Sequence, residues 1–112
     1  RMDPAHETTQ GIKLIIDEIR KQTPSSKILL LSIFPRGASA DDKYRQRNTE
    51  INALLPALAK QKSIFYLNIN DKFLEAEAKL SRDLMPDLLH PNQKGYEVWI
   101  KAIKPRVDQF IK

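Results

Sequence analysis

The feature that most constrains the fold is the run Lys27, Ile28, Leu29, Leu30, Leu31, Ser32, Ile33 and Phe34, apolar almost throughout and closed by Pro35. A strand with one wet face alternates apolar and polar residues. A continuous apolar run needs cover on both faces, as in the middle of a parallel sheet flanked by helices. A second run, Ser63, Ile64, Phe65, Tyr66, Leu67, Asn68 and Ile69, follows a helical segment. Strand, helix and strand with short joins form a right-handed crossover unit, which predicts that the two strands are parallel.

The segments around these strands read as helices. Asp3 and Pro4 suit an N-cap and a first helical position, and Ile12, Ile15, Ile16 and Ile19 recur at helical spacing. A helix over Pro4–Gln22 is therefore expected, ended by Thr23, Pro24, Ser25 and Ser26. Residues 35–42 read as a loop. From about Lys43 a second amphipathic helix is marked by Ile51, Leu54, Leu55 and Leu58, with Pro56 placed to kink or split it. Residues 70–86 read as a loop with one helical turn. From about Asn92, the residues Tyr96, Trp99, Ile100, Ile103 and Val107 trace a face of a last helix, bent near Pro105 and supplying core residues in Tyr96 and Trp99.

Three helices and two strands make an incomplete inventory. Two parallel strands do not stand alone, and the run from Leu29 to Ile33 would face solvent along one edge. The expectation is an α/β chain forming the C-terminal part of a doubly wound, flavodoxin-like α/β/α domain. Its earlier strands would lie upstream or on another chain. Such a fragment, alone, is expected to dimerise, swap or aggregate through its open edge.

Composition narrows the chemistry. Over 112 residues the net charge is +5, yet Lys and Arg are interleaved with acids, so no nucleic-acid footprint stands out. The densest basic stretch, Lys43, Tyr44, Arg45, Gln46 and Arg47, reads as the solvated first turns of a helix. With no cysteine, thiolate chemistry and disulfides are excluded. His6 and His90 are remote in sequence and form no metal-ligand pairing, and the three glycines build no phosphate-cradling loop. No cofactor is expected. No apolar run approaches the roughly 20 residues of a membrane span, and no signal-peptide pattern is present. A soluble protein is expected, whether in a bacterial cytoplasm, in a periplasm or secreted.

The chemically suggestive segment is Asp87, Leu88, Leu89, His90 and Pro91, just ahead of the last helix. In a Ser-His-Asp hydrolase the histidine takes the nucleophile's proton, while the acid holds the imidazole in the right tautomer. Asp87 and His90 could fill both roles from one loop, at the end of the sheet where α/β folds bind ligands. The alternative is a loop histidine bonded to Asp87 for stability. No serine here has Gly-x-Ser-x-Gly or Gly-Asp-Ser surroundings: Ser32 lies in a strand, and Ser25 and Ser26 in a turn. Arg36 could reach the site or form a surface ion pair, and Asn48 and Asn52 are read as capping or solvating their helix.

This segment resembles the last motif block of the SGNH (GDSL-type) hydrolases, in which an Asp-x-x-His loop supplies two triad members. The stretches 28–37, 45–52 and 73–75, together with Lys79, Leu80 and Ser81, are similar to the bacterial branch related to the catalytic subunits of platelet-activating factor acetylhydrolase. The resemblance implies that Asp87 and His90 are the triad acid and base. It also implies that the serine nucleophile and the Gly and Asn of the oxyanion hole precede Arg1, in a missing N-terminal half or second chain. The implied activity is serine-esterase hydrolysis of small acyl esters, acetyl above all, of carbohydrate or lipid. Asn68 and Glu77 depart from the family pattern, which has an Asp near the strand end and an Asp-Gly turn. The rival reading is a catalytically inert α/β interaction module that pairs through its sheet edge.

Overall fold

A computed structural model describes residues 4–111. The order is α1 (Pro4–Gln22), β1 (Ile28–Leu31), α2 (Lys43–Leu54), β2 (Ile64–Leu67) and α3 (Gln93–Ile111), with 3-10 turns at Leu55–Lys60, Asn70–Phe73 and Ala76–Ala78. The expected Asp3 cap lies outside the described residues. Asp42 caps α2, its Oδ1 accepting from the backbone N–H of Tyr44 at 2.8 Å and of Arg45 at 3.1 Å. Pro56, which has no N–H to donate, falls where α2 tightens into the first 3-10 turn. Asn92 caps α3 by accepting from Gly95 N–H at 2.9 Å.

The strands are parallel, with Ile28 opposite Ile64 and Leu31 opposite Leu67. Alternation along them divides the chain into layers. Leu30 and Tyr66 pack with Ile12, Ile51 and Leu55 on the α1 and α2 side. On the other face Phe65 meets Phe110 of α3 at 4.9 Å between ring centroids, and Leu67 packs in the cluster that contains Trp99. The architecture is α/β, with helices on both sides of a parallel two-stranded sheet.

β1 is half-buried at every position, with β2 its one strand neighbour among the described residues, in line with the open edge expected for the run from Leu29 to Ile33. Two features depart from the sequence-based expectation. Residues 70–86, expected as a loop, build the main core. Ile69, Phe73, Leu80, Leu84 and Met85 are buried there and packed by Phe34, Val98, Trp99 and Ile103. In α1, Ile16 is buried but Leu14 and Ile15 are 61% and 62% exposed. The chain is correspondingly flat, 42 × 40 × 18 Å, and its radius of gyration of 15.1 Å exceeds the roughly 13 Å of a compact domain this long.

Candidate active site

The loop carrying Asp87 and His90 is shaped by Leu88, whose φ is +61°. That left-handed residue is held on both sides: its N–H donates to Met85 O at 2.9 Å, and its carbonyl accepts from Gly37 N–H at 3.0 Å. Across this reversal, Asp87 Oδ1 accepts from the N–H groups of Leu89 at 3.0 Å and His90 at 2.7 Å. Asp87 Oδ2 lies 2.7 Å from His90 Nδ1. The hydrogen bond from the His90 ring, followed by that from the His90 backbone, lowers the Asp87 pKa to about 2. An ionised carboxylate only accepts, so Nδ1 carries the proton and, in the neutral ring, Nε2 keeps the free lone pair. The arrangement leaves His90 Nε2 able to accept a proton.

Gly37 belongs to the loop after β1, so its bond to Leu88 places the pair beyond the carboxyl end of that strand, where ligands bind in open α/β sheets. A groove of about 400 Å³ reaches the loop at Leu89, between Asp87 and His90, and is lined also by Leu31, Ser32, Ile33, Phe34, Arg36, Asn48 and Trp99. Both side chains are open to solvent, 72% for His90 and 55% for Asp87. Among the described residues, no cluster of three or more His, Cys, Asp or Glu could hold a metal ion.

Several residues take other places than expected. Arg45, read as solvated, is 5% exposed. Its Nε, Nη1 and Nη2 donate to the carbonyls of Arg36 at 3.1 Å, Ala78 at 2.7 Å and Gly37 at 2.9 Å. Burial lowers its pKa, opposed by the charge of Asp42. Asn52 spans both backbone groups of Ile33, accepting from its N–H at 2.7 Å and donating to its carbonyl at 2.9 Å, and Asn48 donates to Phe34 O at 3.3 Å. Neither asparagine caps its helix. Arg36 stacks over the Tyr44 ring at 4.2 Å. Tyr96, expected in the core, is 48% exposed and stacks on Trp99. Trp99 does join the core, at the cost of a buried Nε1–H without a hydrogen-bond partner. Ser32 is buried, with Oγ 3.0 Å from Oδ1 of both Asn68 and Asn70.

Residues 1–98 match the GDSL-like lipase/acylhydrolase family. The chain belongs to this family. It is 31% identical, over 96% of its length, to the platelet-activating factor acetylhydrolase IB subunit alpha2 of Rattus norvegicus, and covers 47% of that protein. This GDSL-like chain thus spans about half the length of the curated relatives it matches. Among solved structures, it superposes on one described as a candidate acylhydrolase from Bacteroides fragilis with a TM-score of 0.81 and 19% identity, over 99% of this chain and 55% of that one. The esterase domain of the zebrafish ZfL2-1 ORF1 protein gives a TM-score of 0.74 at 19% identity, over 96% and 61% of the two chains. At these identities the superpositions establish a shared fold. No described helix of the GDSL-like chain is long and apolar enough to cross a membrane.

Proposed function

We propose that this chain supplies the acid and base of a serine esterase, and that the nucleophile and oxyanion hole come from an N-terminal half or second chain seated against the open edge of β1. The carrying observation is the 2.7 Å contact between His90 Nδ1 and Asp87 Oδ2, with Oδ1 already taken by backbone N–H groups. His90 Nε2 takes the serine proton as the hydroxyl attacks the ester carbonyl, then returns a proton to the leaving alcohol. Water repeats the cycle on the acyl-enzyme. Asp87 orients the ring and stabilises the imidazolium while remaining ionised. The expected substrates are small acyl esters, acetyl in the first place, of a carbohydrate or lipid, consistent with the acetylhydrolase relatives.

The test is hydrolysis of p-nitrophenyl acetate by the whole protein and by this chain alone, each beside its His90→Ala variant. Loss of whole-protein turnover on substitution supports the assignment, and retained turnover overturns it. This chain alone is expected to be inactive. The open β1 edge also suits a second reading, an inert module that pairs through that edge. That reading predicts association of this chain with its partner, unaltered by His90→Ala, and no whole-protein turnover to lose.

A further inference from the structure

We infer that Arg45 is a positioning residue for the Asp87–His90 pair, acting through Gly37 and the Leu88 carbonyl. The inference rests on the reading of that pair as catalytic. Arg45 opens α2 three residues after the cap Asp42 and sends its side chain inward. The planar fork of a guanidinium holds several acceptors in fixed relative positions, which an ammonium on a flexible stem does not. Here the fork grips the consecutive carbonyls of Arg36 and Gly37, and reaches across to Ala78. Two of the acceptors lie in the loop after β1, and the third ends the 3-10 turn Ala76–Ala78, where Glu77 and Ala78 have positive φ.

The peptide gripped at the Arg36 carbonyl is the one whose N–H, that of Gly37, holds the Asp87–His90 loop. Gly37 N–H donates to Leu88 O, and the next carbonyl, Ala38 O, accepts from Leu80 N–H at 3.1 Å. Gly37 has little freedom to shift without this grip being felt. Its φ is +82°, and a Cβ there would lie 2.3 Å from Asp42 Cγ, so it is pressed between the helix cap and the guanidinium. Leu88 is the other half of the relay. A left-handed leucine persists only where the surroundings hold it; its side chain packs against the core of Phe73 and Leu80, and its backbone hydrogen bond from outside residues 85–88 is the one from Gly37 N–H. Releasing Gly37 lets Leu88 relax toward ordinary φ, which turns Asp87 and His90 away from each other. Arg45 makes no hydrogen bond to either, so its action on them is indirect.

The test is run on the whole protein with Arg45→Met and Arg45→Lys, and with Leu58→Ala as a control that loosens the adjoining turn without touching Gly37. The carboxyl of Asp87 is titrated by 13C NMR. Both Arg45 variants are expected to move that titration up toward the ordinary carboxylate range, Met further than Lys, while Leu58→Ala leaves it in place. In the same proteins, Arg45→Lys is expected to lower kcat roughly 10- to 100-fold with KM changed less than about two-fold, the pattern of misplaced catalytic groups. An Asp87 titration matching wild type in folded Arg45 variants overturns the inference, as does an equal shift in Leu58→Ala. If Arg45→Met does not fold, Arg45→Lys decides on the same criterion. Failure of the catalytic reading itself looks different: His90→Ala would then keep full turnover, while the Asp87 titration still reports on Arg45.

Discussion

Residues 69–92 and the α1–β1 side of the molecule are built on opposite plans. The first has almost no regular structure, only short 3-10 turns and an isolated bridge between Leu74 and Leu80, yet it holds Phe73 and Met85, which with Leu55 are the largest fully buried side chains among the described residues. The second has a long helix and a strand, yet leaves Leu14, Ile15 and one edge of β1 open. Regularity is therefore not where this chain is finished. The irregular side is closed by packing and hydrogen bonds within this chain: its core is covered by Phe34 and by Trp99 and Ile103 of α3, its turns are bonded to one another and to Arg45, and they carry the Asp87–His90 pair. The regular side is incomplete both in packing and along the unpaired edge of β1. The candidate site sits where the two meet, with Asp87 and His90 on the irregular side and a groove lined by Leu31 of β1, the loop after it, Leu89 and Trp99.

The largest expected effect tests whether the finished side carries chemistry. Asp87→Asn in the whole protein should lower kcat on the order of 10⁴-fold, by analogy with the loss of a triad acid. The substituted amide would hold the ring in the wrong tautomer without disturbing the shape of the loop. Burst and steady-state kinetics on an activated acetyl ester measure it, and near-normal turnover would sink the assignment.

Next comes the contrast in packing. Phe73→Ala should destabilise the fold by about 3–5 kcal/mol, since Phe73 is wholly buried and its removal leaves a cavity beside Phe34, whose ring lies 4.9 Å away. Leu14→Ala, at a largely exposed position, should cost less than about 0.5 kcal/mol in this chain by itself. Urea unfolding of each variant separates them. A large, concentration-dependent cost for Leu14→Ala would show that the α1 face is covered by association, erasing the contrast for the assembled protein.

How far the sequence reveals these two regions follows from what sequence signals measure. Helix bounds, the parallel pairing of the strands and the Asp-x-x-His loop are legible, because each rests on periodicity, caps or a local motif. The core of residues 69–85 is not. Phe73, Leu80, Leu84 and Met85 are spaced by turns, and a periodic signal needs about 11 residues of one structure. Arg45, Asn48 and Asn52 are a subtler case. They share helical spacing with Leu55, at i, i+3, i+7 and i+10, so a polar stripe continuing a buried apolar one was present in the sequence. What no sequence signal supplies is the acceptors, which are loop carbonyls brought close only by the fold. The departure at Glu77, which stands where the resemblance implies an Asp-Gly turn, is legible in the same partial way, and Glu77 and Ala78 have φ of +60° and +59°.

That left-handed pair gives a smaller test on the irregular side. Left-handed backbone costs an L-residue with a Cβ about 1–2 kcal/mol, and glycine avoids most of it. Ala78→Gly should therefore stabilise the fold by about 1 kcal/mol, whereas the same substitution at Ala57, in the ordinary 3-10 turn after α2, should be neutral or destabilising. Matched denaturation curves check the sign. A loss of stability in Ala78→Gly would mean that residues 69–92 are less strained than their backbone indicates.

The smallest effect is in the acid limb of stability. Asp87 titrates at about 2 in the folded chain against an ordinary 3.8. The unfolded chain therefore binds more protons between these values, and stability from this group rises with pH across that window. It is fully present above about pH 4 and is lost as pH falls through about 2. Because the pair is open to solvent, the contribution is small and screened by salt. Thermal midpoints of wild type and Asp87→Asn, measured from pH 2 to pH 5 at low and high salt, should converge at the acid end and separate above it. Parallel curves would mean that the Asp87–His90 contact adds nothing to the fold. Its geometry would then be held entirely by Leu88, Gly37 and the backbone that Arg45 grips.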